Sequence, residues 1–152
     1  MMLQAIYFDM DGTIADLYGV DGWLDDLHNE DVRPYAVAAP LVDMDKLNAV
    51  CAALQAMGVV IGVISWSAKG GSKEYNAEVR KVKREWIKTY LPCVTEFHVV
   101  KYGTPKHKVR KINNSILIDD CAEVRNAWDG LTINATKDFV KVLDMLASGM
   151  VK

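Results

Sequence analysis

The sequence predicts a three-layer α/β domain, a parallel sheet of about five strands with helices on both faces. Two observations point there: short runs that are apolar almost throughout, as strands covered on both sides must be, and helical patterns that alternate with them along the chain. The length of 152 residues, with 51% hydrophobic and 25% charged residues, suits one core, so a single domain over 1–152 is expected. The alternation gives it a Rossmann-like character.

Leu3 to Phe8 reads as the first strand, interrupted by Asp9 and Asp11. The stretch from Asp16 to Pro40 then breaks the alternation. It is long, acidic throughout and carries Tyr18, Trp23 and Tyr35, and connections of that length in a compact domain are usually functional, so it is expected to form a flap or small cap. Met44, Leu47, Val50, Cys51, Leu54 and Met57 recur at steps of three and four, and Gly58 follows as a stop signal. This helix feeds a second strand, Val59 to Ser65.

Between Lys73 and Tyr90, the residues Tyr75, Val79, Val82 and Trp86 line one face, and Pro92 ends the pattern. Phe97 to Val100 is the third strand. Thr104-Pro105 resembles an N-cap with proline in the first turn, which predicts a short helix through Lys111. Ser115 to Ile118 and Leu131 to Asn134 complete the sheet, and a last helix is expected from Thr136, with Phe139, Val140, Leu143 and Leu146 inward.

A formal net charge of −2 exerts no global pull toward nucleic acid or an anionic membrane. No apolar run approaches the ~20 residues that a membrane helix needs. Cys51, Cys93 and Cys121 are widely spaced and lack the close pairing of a zinc site or a redox motif, which reads as reduced thiols. With no basic segment ahead of the first apolar run, a soluble, cytoplasmic protein is expected.

In parallel α/β sheets, ligands bind beyond the carboxyl ends of the strands, near the point where strand order reverses. The first strand delivers Asp9-Met10-Asp11-Gly12-Thr13 to that edge, the second delivers Ser65-Trp66-Ser67, and the fourth delivers Asp119-Asp120. Lys106 stands in the short helix ahead of the fourth strand, with Lys108 as its competitor two residues on. Converging carboxylates repel one another without a cation, and hard oxygen donors with no His/Cys cluster favour Mg²⁺. A phosphate can share such an ion. Phosphoryl transfer needs an in-line nucleophile, cations facing the equatorial oxygens and a proton donor for the departing alkoxide.

Phe8-Asp9-Met10-Asp11-Gly12-Thr13 resembles the first motif of the haloacid dehalogenase superfamily. The remaining motifs are matched in order by Ser65, by Lys106 and by Leu117-Ile118-Asp119-Asp120. Lys83 to Pro92, together with Ile116 to Asp120 and Trp128, is similar to the 5'-nucleotidase and deoxyribonucleotidase branch, which carries a larger helical cap where this chain has only Asp16 to Pro40.

The resemblance implies a phosphomonoester hydrolase, with nucleotides among its expected substrates. Asp9 would attack phosphorus and form an aspartyl phosphate, and Asp11 would serve as acid and then base. Ser65 and Lys106 would hold the phosphoryl oxygens. Asp9, Asp11 through its backbone carbonyl, Asp119 and Asp120 would form the Mg²⁺ site, with either of the last two as the direct ligand. Gly12, Thr13, Trp66 and Ser67 are expected to line the substrate.

Blander readings compete at several positions. The basic residues from Arg80 to Lys88 read as a solvated helix surface, and His28, His98 and His107 as incidental. Trp23 and Tyr18 suit either substrate stacking or packing of the cap. Two rival functions stand beside a small-molecule phosphatase: action on a macromolecule, such as a phosphorylated nucleic-acid end or a phosphoprotein, and a catalytically silent module that binds a phosphorylated ligand. A small phosphorylated partner is favoured over nucleic acid, no membrane partner is expected, and the oligomeric state is left open.

Overall fold

The computed structural model describes residues 2–150. Its main sheet contains five parallel strands: β1 (Ala5–Phe8), β4 (Val60–Trp66), β5 (Glu96–Val100), β6 (Ser115–Asp119) and β7 (Leu131–Asn134). Their spatial order is β5-β4-β1-β6-β7. The chain therefore builds outward from β1 on one side, then returns across it to build the other. Phe8 is in register with Val63 of β4 and with Ile118 of β6, so β1 and β6 end at nearly one level, past which β4 runs on to Trp66. That level is the switch point where ligands bind in such sheets.

Strand alternation divides the core between two faces. Ile6 and Phe8 point toward α3 (Met44–Ala56), α4 (Lys73–Tyr90) and α6 (Phe139–Met150), where Leu47, Leu54, Trp86 and Leu143 are buried. Burying each such side chain contributes roughly 1.5–3 kcal/mol. Ala5 and Tyr7 face a thinner layer, formed by Trp128, by Val124 of α5 (Ala122–Ala127) and by Val109 and Ile112. This gives the expected three-layer α/β architecture.

Several boundaries differ from the sequence pattern. The segment after Thr104 is a single 3-10 turn, Lys106–Lys108, rather than a helix through Lys111. The Thr104 hydroxyl donates to the Lys101 carbonyl instead of capping it, and Pro105 holds ψ at 117°, outside helical range. The last helix starts at Phe139, not Thr136, because the Thr136 hydroxyl is drawn back to the Asn134 side chain while Asp138 accepts from the Lys141 amide. The short helix α5 lies where no helix was expected.

The segment from Asp16 to Pro40 forms a small helical cap. It leaves and rejoins the domain through a two-stranded antiparallel ribbon, β2 (Ala15–Asp16) with β3 (Ala39–Pro40), and carries α1 (Trp23–His28) and α2 (Arg33–Val37) between them. Leu17, Tyr35 and Trp23 pack against Tyr75 and Val79 of α4, so the cap rests on that helix. Among the described residues, no helix is long and apolar enough to cross a membrane.

Candidate active site

The turn after β1 is set by its backbone. Thr13, Ile14 and Ala15 all donate their amides to the Met10 carbonyl at 3.0 Å, folding Asp9 to Thr13 tightly over the strand end. Gly12 makes this possible in two ways. Its φ is +81°, and a Cβ there would lie 2.4 Å from Asp120 Oδ2. Glycine therefore lets the β1 turn and the carboxylate pair after β6 approach each other.

Lys106, only 4% exposed, joins the two strands electrostatically: its ammonium donates to Asp9 Oδ1 and to Asp119 Oδ2, each at 2.8 Å. Although burial disfavours that charge, Asp9 and Asp119 hold the ammonium above the usual lysine value. Lys108 is exposed, so the choice between the two lysines falls to Lys106. Asp9 Oδ2 accepts from the Thr13 hydroxyl at 3.0 Å, and Asp120 Oδ1 lies 3.3 Å from the same oxygen. Thr13 is thus engaged with carboxylates and buried, rather than lining the cavity as a substrate contact.

Asp119 and Asp120 divide their work. Asp119 has both oxygens occupied, one by Lys106 and the other by the Cys121 amide at 2.9 Å, and is 1% exposed. Asp120 is half-open. Burial, followed by the charges of Asp9 and Asp119, pushes its carboxyl up to about 7. Asp9, Asp119 and Asp120 each offer an oxygen within 4.8 Å of the others, a donor set that fits a hard divalent cation. Asp9, Asp119 and Asp120 are the residues that would hold such an ion, with Lys106 already drawn to the first two.

Ser65, at the end of β4, is 1% exposed and accepts a 2.7 Å hydrogen bond from Lys83 Nζ. Lys83 was not singled out by the sequence pattern as a site residue. It arises from α4, is 1% exposed, and also donates to Asp11 Oδ2 and to the Trp66 carbonyl, both at 2.8 Å. Burial pushes the Asp11 carboxyl up against the pull of this ammonium. The missed signal was positional: Lys83 lies four residues after Val79 and three before Trp86, on the buried stripe of the helix.

A cavity of about 660 Å³ opens over these groups, with Asp9, Asp11, Lys106 and Asp120 at its floor. Tyr18 and Trp23 of the cap, their ring centroids 5.0 Å apart, form one wall. Trp66 and Tyr102, 4.9 Å apart, form the other. Trp66 also donates Nε1 to the Thr104 carbonyl, fastening the segment that leads into Lys106. Ser67 lines the cavity, whereas Ser65 is buried outside its lining and Gly12 and Thr13 line a separate cavity. Of the histidines, only His28 lines this cavity; His98 instead pairs with Glu96 on β5.

No protein-family model matches the chain, and no curated protein matches its sequence.

Proposed function

We propose that the protein is a Mg²⁺-dependent phosphomonoester hydrolase of the haloacid dehalogenase superfamily. The observation that carries this reading is the buried Lys106 ammonium bridging Asp9 and Asp119 where β1 and β6 end, with Asp120 beside them. A bound Mg²⁺ would neutralise negative charge on the phosphate as it develops.

The chain's own residues supply the remaining chemistry. An Asp9 carboxylate oxygen bonds to phosphorus as the bond from phosphorus to the leaving oxygen breaks, and the proton on Asp11 passes to that oxygen. A water molecule then bonds to phosphorus and gives a proton to Asp11, and the acyl phosphate bond to Asp9 breaks to release phosphate. Lys106 remains charged beside Asp9 throughout. The Ser65 hydroxyl contributes a hydrogen bond to a phosphoryl oxygen.

The cavity volume favours a small substrate, since pockets of about 300–1,000 Å³ enclose molecules of drug size. Its two aromatic walls suit a planar leaving group, which supports a nucleotide. The test is a panel of nucleoside monophosphates, sugar phosphates, a 3'-phosphorylated oligonucleotide and phosphopeptides, each with and without Mg²⁺. Phosphate release from small monoesters that stops on chelation supports the reading. A wide preference for the oligonucleotide or the peptides would move the assignment to a macromolecular phosphatase, and absence of any turnover to a phospho-ligand binding module.

A further inference from the structure

We infer that Lys83 is a positioning residue that sets both the proton donor Asp11 and the phosphate-binding hydroxyl of Ser65; this inference rests on the phosphatase reading. The three ammonium protons of Lys83 are all spent, on Asp11 Oδ2, Ser65 Oγ and the Trp66 carbonyl, at 2.7 to 2.8 Å. None remains for substrate. Lys83 therefore acts through its neighbours, and its effect on each follows from donor and acceptor roles.

An ammonium only donates. By giving a proton to Ser65 Oγ it fills one lone pair of the hydroxyl and turns the serine's own O–H away from Lys83, which makes the hydroxyl available as a donor to a phosphoryl oxygen. By binding Oδ2 of Asp11 it fixes that carboxyl's rotation and leaves Oδ1 as the oxygen that carries the proton to the leaving group. The Trp66 carbonyl ties both to the end of β4. Tyr35 of the cap lies with its ring centroid 4.9 Å from Lys83 Nζ and screens the ammonium from water. Its host helix also bears the cap, through the Glu30 carboxylate on Ser72 and the Tyr75 hydroxyl on the Asp31 carbonyl. One helix thus holds the cap and the proton donor in a fixed relation.

The variants Lys83→Met, Asp11→Asn and their combination test this assignment by two independent readouts. The first compares kcat/KM for an alkyl phosphate, whose departing alkoxide needs a proton, with that for p-nitrophenyl phosphate, whose phenolate leaves with little help. This ratio reports steps only up to phosphoryl transfer onto Asp9. Lys83→Met is expected to lower the alkyl phosphate value about 100-fold, within the range of general acid catalysis, and the aryl value about tenfold or less. In the Asp11→Asn background, Lys83→Met should change the alkyl-to-aryl ratio no further.

The second readout is thermal unfolding without Mg²⁺. Each single variant leaves a charged or polar group without its partner, buried in the case of Lys83 and part-buried in the case of Asp11, and the double variant should recover part of the combined loss. This measurement remains available if Lys83→Met alone folds poorly, because the double variant removes both members of the pair. Equal losses on the two substrates, or losses and melting shifts that simply add across the variants, would overturn the assignment of Lys83 while leaving the phosphatase reading intact. Failure of the wild-type protein to hydrolyse either substrate would overturn both.

Discussion

At the scale of single residues, the site is a set of charges held by two buried ammonium groups: Lys106 between Asp9 and Asp119, and Lys83 against Asp11. Asp9→Asn keeps the shape of the side chain but removes the oxyanion that the proposed reaction requires. Turnover in the substrate panel is expected to fall to the buffer background, while circular dichroism shows an unchanged fold. Asp120→Asn should weaken Mg²⁺ binding at least about tenfold by calorimetric titration, equivalent to about 1.4 kcal/mol. Asp119→Asn should weaken it less, since Asp119 is 1% exposed and held between Lys106 and the Cys121 amide, whereas Asp120 is the more open carboxylate. Gly12→Ala would force a left-handed backbone on a residue with a Cβ and push that Cβ against Asp120, so a loss of about 1 to 2 kcal/mol from strain alone is expected in denaturant unfolding. The carboxylates and Ser65 were legible because strand ends collect polar residues at fixed places after apolar runs, and Lys106 because it follows Pro105 in the first turn of a short helix, although Lys108 competed with it. Lys83 was not, because a lysine among basic neighbours on a helix ordinarily lies in water, and only the three-dimensional packing of α4 against the cap buries it.

Among the elements, α4 has the largest burden. Its N-terminal part anchors the cap through Ser72 and Tyr75, its middle supplies Lys83, and Trp86 donates Nε1 to the Ala38 carbonyl where the cap returns. Tyr75→Phe removes the hydrogen bond to Asp31 and should cost about 1 kcal/mol of cap anchoring. The expected signature is a KM raised a few-fold with kcat little changed, together with faster proteolytic cutting between Asp16 and Pro40. The five strands and the helices α3 and α4 were readable from period and stop signals. The cap's helices were not: α1 and α2 have six and five residues, too short for a repeating apolar stripe, and they are held by tertiary contacts with α4. The 3-10 turn at Lys106 escaped for a related reason. A proline preceded by threonine signals a helix start, but nothing in the following residues distinguishes one turn from three.

For the whole molecule, the crowded carboxylates are expected to make stability depend on pH and, on the proposed function, on Mg²⁺ as well. Between the ordinary carboxylate value near 3.8 and the value of about 7 at Asp120, the folded chain holds a proton that the unfolded chain has released. Stability without metal is therefore expected to fall as pH rises through that window. The thermal midpoint should be lower near pH 8 than near pH 5, and added Mg²⁺ should restore more of it at the higher pH, where no proton competes for Asp120. The parallel three-layer sheet behind this was legible because strands and helices alternate along the chain, whereas its strand order was not, and the face covered only by α5 and irregular chain gave little periodic signal. The ribbon of β2 and β3 has a consequence of its own. Since Ala15 lies opposite Pro40 and Asp16 opposite Ala39, everything between them is a detachable insert whose two ends already meet. Such a cassette can lengthen or shrink over generations without shifting the register of any sheet strand, so the wall that Tyr18 and Trp23 give the cavity can be rebuilt by edits at this one junction while the carboxylates beneath stay as they are.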